Sequence, residues 1–166
     1  MVEIEASSGG CPGLAALELG DEAAVAGLFG RLSPESLYRR FFSPVVRAEQ
    51  FTRLVLRGVD GHERAAVAAV VDGEVVGVAQ YARPAGACRA DLAIMVADSW
   101  QRQGLGTRMV AALAARATAE GIEGFEVDVQ GDNHGALRLL QRVAPGVRLA
   151  FSGGVGEGAF SIGGRG

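Results

Sequence analysis

The chain has 166 residues, 49% of them hydrophobic and 21% charged, with a net charge of -3. That balance fits one globular domain over residues 1–166 with a single core, and excludes an intrinsically disordered chain. No run approaches the roughly 20 apolar residues of a membrane span, and the opening Met-Val-Glu-Ile-Glu-Ala is too acidic for a signal peptide, so a soluble, cytoplasmic protein without a membrane partner is expected.

The basic residues are scattered, which argues against nucleic acid as a partner. All 16 of them are arginine, so the chain has no side-chain amine that could itself be acylated. Cys11 and Cys88 lie far apart, with no CxxC and no neighbouring histidine, so neither a metal site nor a disulfide framework is expected.

In chain order, the apolar run Leu14 to Leu19 predicts a first strand. Gly20-Asp21-Glu22 then opens a helix with Ala24, Val25, Leu28 and Phe29 at helical spacing. Ser33-Pro34-Glu35 repeats the entry signal, with serine as N-cap and proline in the first turn, for a helix over Pro34 to Arg40; another is expected over Ala48 to Arg57. Ala66 to Val71 and Val75 to Tyr81 are rich in β-branched residues and flank Asp72-Gly73, a hairpin signal. Arg89 to Val96 alternates as a third strand of that meander.

A helix follows from about Thr107 to Glu120, with Met109, Val110, Leu113, Ala114 and Ala117 on one face. Phe125, Val127 and Val129 alternate as the next strand, and Asp132-Asn133 opens a helix carrying Leu137, Leu140 and Val143 before Pro145-Gly146 ends it. Val147 to Phe151 and Glu157 to Ile162 are weaker strands. The strand at 89–96 reaches the next through a helix, which predicts one parallel crossover in an otherwise antiparallel sheet: an α/β fold with a mixed sheet and helices on both faces.

Between strand and helix lies Gln101-Arg102-Gln103-Gly104-Leu105-Gly106-Thr107. Two glycines at a helix start suggest a backbone closely approached by a phosphate. The dinucleotide fingerprint fails at its third glycine, where Met109 stands, and a P-loop would need a lysine. The segment matches [QR]xxGx[GA] and resembles the acetyl-CoA loop of the GCN5-related N-acetyltransferase (GNAT) superfamily, whose order of elements the chain follows over nearly its whole length. Arg31-Leu32-Ser33-Pro34-Glu35-Ser36-Leu37-Tyr38-Arg39-Arg40-Phe41-Phe42 and Ala90 to Gln101 are similar to the acetyltransferase domain of bacterial Pat-type protein lysine acetyltransferases.

The resemblance implies acetyl-CoA as cofactor and an amine as acceptor, a protein lysine first and a small molecule second. A homodimer would also be in keeping with it. It implies coenzyme contacts at Gln101, Arg102, Gln103, Gly104, Leu105, Gly106 and Thr107 of the loop, and at the backbone of Ile94, Met95 and Val96, where an amide near Val96 would polarise the acetyl carbonyl. Asp91 stands where Pat-type sequences carry a glutamate, and is expected to be the base; otherwise it is a solvated carboxylate or a partner of Arg89. Asn133 matches an asparagine that contacts the pantetheine, and is equally suited to capping the following helix. The tyrosine that often protonates the thiolate is replaced by Leu140, with Tyr81 and Ser99 as distant substitutes. That replacement leaves open a non-catalytic acetyl-CoA sensor.

Overall fold

A computed structural model describes residues 1–45 and 47–164. Its elements are β1 (Val2–Glu5), β2 (Gly13–Ala16), α1 (Glu22–Phe29), α2 (Pro34–Phe41), α3 (Ala48–Leu56), β3 (Arg64–Val71), β4 (Glu74–Ala82), β5 (Arg89–Val96), α4 (Leu105–Ala119), β6 (Gly124–Gln130), α5 (His134–Val143), β7 (Ala150–Ser152) and β8 (Val155–Ser161). They form one eight-stranded sheet in the order β1-β2-β3-β4-β5-β6-β8-β7. Every pairing is antiparallel except β5 with β6, which the α4 crossover makes parallel, as the strand-helix-strand pattern predicts.

The largest departures from the sequence reading lie toward the two ends of the chain, while α4 starts two residues earlier than expected, at Leu105. The strand expected over Leu14 to Leu19 is the short β2, because Glu18 and Asp21 turn the chain: the Glu18 amide donates to Asp21 Oδ2 at 2.7 Å. β1, whose residues are all exposed, has no buried face for periodicity to reveal, and pairs with β2 at the sheet edge. In the tail, β7 is confined to Ala150–Ser152 and turns through Gly153 and Gly154, both with positive φ, into β8.

Local chemistry accounts for the central elements. Asp72 and Gly73 both take positive φ, 49° and 79°, in the turn that joins β3 to β4. Ser33 Oγ accepts from the Ser36 amide at 3.1 Å and caps α2. Asp98 Oδ1 then accepts from the Ser33 amide and Ser36 hydroxyl, tying the start of α2 to the turn after β5. The core fills both faces of the sheet. Phe51 packs between Phe29 and Phe41 under α1–α3, while Tyr81, Phe125 and Phe160 stack with centroids about 6 Å apart.

Candidate active site

The parallel pairing of β5 with β6 runs only through Arg89/Gly124, Ala90/Phe125 and Asp91/Glu126, whereas β5 stays paired with β4 as far as Val96. The two strands therefore part beyond Asp91. The Ala97 amide donates to Val76 O at 2.8 Å, which fixes the ladder phase: Met95 bonds toward β4, and the backbone groups of Ile94 and Val96 point into the gap. The Val96 carbonyl is taken by Gln101 Nε2 at 3.1 Å, leaving the Ile94 and Val96 amides as donors facing the opening.

The start of α4 lies beside this gap. Gly104 precedes the helix at φ 81°, a conformation costly for any residue with a Cβ, and no side chain caps the end. The first helical bond runs from the Arg108 amide to Gly104 O, so the amides of Leu105, Gly106 and Thr107 have no helical partner. No atom lies within 4 Å of where a Gly104 Cβ would sit. Gly106 has a different reason: a Cβ there would come within 2.8 Å of Leu139, so this glycine lets α5 pack against α4.

A cavity of about 670 Å³ opens over these amides, and Arg102, Arg138 and Arg142 bring positive charge to its wall. Unpaired amides, the positive end of a helix and guanidinium groups together make a site for a phosphorylated ligand.

A second cavity, about 870 Å³, lies on the Asp91 side of the gap. Its sheet wall is acidic. Asp91 sits opposite Glu126 and Asp128 opposite Glu157, with Arg64 nearby. Partial burial, then the charges of Glu126 and Asp128, push the Asp91 carboxyl above its ordinary range, and Arg64 opposes this. A carboxylate raised in this way is a better proton acceptor near neutral pH. Leu140 contributes a buried apolar surface. Arg40 lines both cavities; burial lowers its guanidinium to about 10.

The sequence profile of the acetyltransferase (GNAT) family matches residues 32–144, a span that takes in α2, the parting strands and the α4 loop. The chain belongs to this family. Its fold is similar to the GNAT domain of S. lividans PAT, at 23% identity over 97% of this chain and 96% of that one, with a TM-score of 0.84. A GCN5-related N-acetyltransferase from Kribbella flavida aligns over 92% of this chain and 98% of its own, at 22% identity and a TM-score of 0.70. A GNAT superfamily phosphinothricin acetyltransferase from Sinorhizobium meliloti, in complex with AcCoA, gives 18% identity over 92% and 89%, with a TM-score of 0.68. Comparison with curated protein sequences finds no match.

In this GNAT chain the first cavity gathers Ile94, Met95, Val96, Gln101, Arg102, Gly104, Leu105, Gly106, Thr107 and Asn133 from the residues expected at the coenzyme. Gln103 stands outside it and donates to Ser99 O at 3.2 Å, bracing the loop. Asn133 Oδ1 accepts from the Ala136 amide at 3.2 Å, so it caps α5 while lining both cavities. Tyr81 is fully buried and gives its hydroxyl to His62 O at 2.9 Å, and Ser99 lines neither cavity. His62 Nδ1 lies 3.0 Å from Glu120 Oε1, away from the site.

Sequence reasoning missed Arg40, Glu126 and Asp128 as parts of the site. Glu126 and Asp128 alternate with buried Phe125, Val127 and Val129, which marks them only as facing the other side of a strand. Arg40 was visible only as one residue of the helix pair over Arg31 to Phe42.

Proposed function

We propose that this GNAT chain transfers an acetyl group from acetyl-CoA to a primary amine in the cytoplasm, by direct attack on the thioester. The observation that carries the reading is the parting of β5 from β6 beside the uncapped start of α4: one opening joins phosphate-binding amides to a carboxylate. The coenzyme's pyrophosphate would rest on the amides of Leu105, Gly106 and Thr107. Its pantetheine arm would follow the exposed edge of β5, and the amide of Ile94 or Val96 would donate to the acetyl oxygen as it gains charge.

Asp91 is the proposed base, taking a proton from the acceptor amine directly or through one water. The acidic wall around it suits an acceptor that arrives as a cation. A protein lysine is the favoured acceptor on the resemblance of the Arg31 to Phe42 segment to Pat-type domains; a small amine is the second reading.

The test is thermal melting with acetyl-CoA, coenzyme A and NAD, followed by thiol release with a lysine peptide and with small amines. Stabilisation by the two coenzymes alone, and acceptor-dependent thiol release lost in Asp91→Asn, is the expected result. Protection without release by any acceptor would favour a coenzyme sensor.

A further inference from the structure

The side chains that line both cavities mark the seam between them: Arg39, Arg40, Ile94, Asn133, Ala136 and Leu139. A thioester lying in the first cavity and attacked from the second must hold its carbonyl carbon and sulfur at this seam. Only Arg39 and Arg40 are charged there. Arg39 Nη2 is paired with Glu35 Oε1 at 2.7 Å.

Arg40 has no anionic partner among the described residues. Its Nε is buried without an acceptor, and its guanidinium carbon lies 4.6 Å from the Phe41 ring centroid. Withdrawing a cation from water without a counter-charge is costly, and the cost falls when negative charge arrives beside it. The reaction proposed above delivers such charge at the seam, because the electron pair of the breaking C–S bond goes to sulfur. Among the described residues no tyrosine, cysteine or histidine lines the seam to quench it: Leu140 is apolar, Tyr81 has committed its hydroxyl to His62 O, and Ser36 and His134 line the first cavity alone.

We propose that Arg40 pairs with the departing coenzyme thiolate and carries its charge, in place of a side chain that protonates the sulfur. This rests on the acetyl-transfer reading. The acceptor's ammonium first gives one proton to Asp91 and on to water; the neutral amine nitrogen then forms a bond to the acetyl carbon, the C–S bond breaks, and the nitrogen's second proton leaves by the same route. Arg40 stays protonated throughout. The thiolate leaves as an anion and takes its proton from solvent.

Other charges bear on the same sulfur. Asp91, Glu126, Asp128 and Glu157 on the second cavity's wall oppose a thiolate and Arg57 and Arg64 there favour one, while Arg102, Arg138, Arg142, His134 and Asp132 line only the first cavity, away from the seam. Removal of Arg40 alone therefore isolates its share.

The experiment uses the full chain with coenzyme A, in a Cys11→Ser, Cys88→Ser background so that the coenzyme carries the only thiol, and reads the ultraviolet thiolate band as the difference from coenzyme-free protein, which removes the tyrosinate absorption; both cysteines are exposed and unpaired. Binding is verified by calorimetry for every variant. The bound thiol is expected to titrate about one pH unit or more below the free coenzyme. Arg40→Met should abolish that shift, with Arg40→Lys retaining part of it. In turnover, Arg40→Met should lower kcat about 100-fold with little change in the KM for acetyl-CoA. A wild-type thiol that titrates with free coenzyme, or a shift that survives in Arg40→Met, overturns the role of Arg40 and leaves the acetyl-transfer reading standing. Failure of the wild type to bind coenzyme overturns both. Should Arg40→Met not fold, the wild-type titration and Arg40→Lys decide the question.

Discussion

The groove over the start of α4 and the cavity behind Asp91 differ in how the chain builds them. The groove is mainly backbone: Gly104 through Thr107 and the free edge of β5 supply amides whose positions follow from helix and strand geometry. The cavity is mainly side chains, drawn from α2, α5, β4, β5, β6 and β8, with Arg39 and Arg40 on the helix side and carboxylates on the sheet side, where Arg64 of β3 stands near them. A backbone site tolerates change in its neighbours but not in its conformation. A side-chain site can be retuned one residue at a time without disturbing the fold.

Five substitutions sharpen this contrast. Asp91→Asn strikes the side-chain site and should lower acceptor-dependent turnover by about 10²–10⁴-fold, measured as thiol release, while coenzyme binding by calorimetry is unchanged. Gly104→Glu strikes the backbone site with charge as well as strain. Its coenzyme affinity should fall about 100-fold, since a carboxylate would face the pyrophosphate.

Gly104→Ala separates the two causes. The alanine keeps φ 81° only at a strain of about 1–2 kcal/mol, so denaturant melting should show that loss, yet the open space around its Cβ should leave coenzyme affinity nearly intact. Equal loss of affinity in Gly104→Ala and Gly104→Glu would mean that loop conformation, not charge, governs the groove. Gly106→Ala should be milder still, about 1 kcal/mol or less, because the Leu139 methyl it meets ends a side chain that can turn aside. In a Leu139→Ala background Gly106→Ala should cost nothing further, a coupling that a phosphate-only role for Gly106 would not show.

The smallest effect concerns stability against pH. The Asp91 carboxyl is raised in the folded chain, so folding favours its protonated form, and its ionisation costs stability as pH rises through the folded value. Asp91→Asn should therefore melt slightly higher than wild type at neutral pH, with the difference vanishing below the ordinary aspartate value of 3.8. A melting point that falls instead would mean that Asp91 is a structural partner of Arg64 and not a strained member of an acidic wall.

Much of the fold was legible in the sequence because its signals are short-ranged. The Ser33 cap, the Asp72-Gly73 turn and the alternation through β3, β4, β5 and β6 each depend on residues a few positions apart. β1 was not legible, since a strand exposed at every residue has no apolar period, and β2 ended earlier than its apolar run because Asp21 captures the Glu18 amide. The glycine loop before α4 was readable for the same reason as the caps: its glycines, helix start and preceding strand are contiguous.

By itself, then, the sequence determined the helices and the central strands but not β1, that one crossover must be parallel, and that a helix begins at a glycine loop with unpaired amides. Only the tertiary structure decided where β6 leaves β5, that Gly106 meets Leu139, that burial and then Glu126 and Asp128 raise Asp91, and that Arg40 stands at the seam with no anionic partner among the described residues. The physical reason is range. Dihedral preference, capping and periodicity act within a turn or two of chain, whereas burial and the field at a carboxylate are sums over neighbours that approach one another only after the sheet has closed.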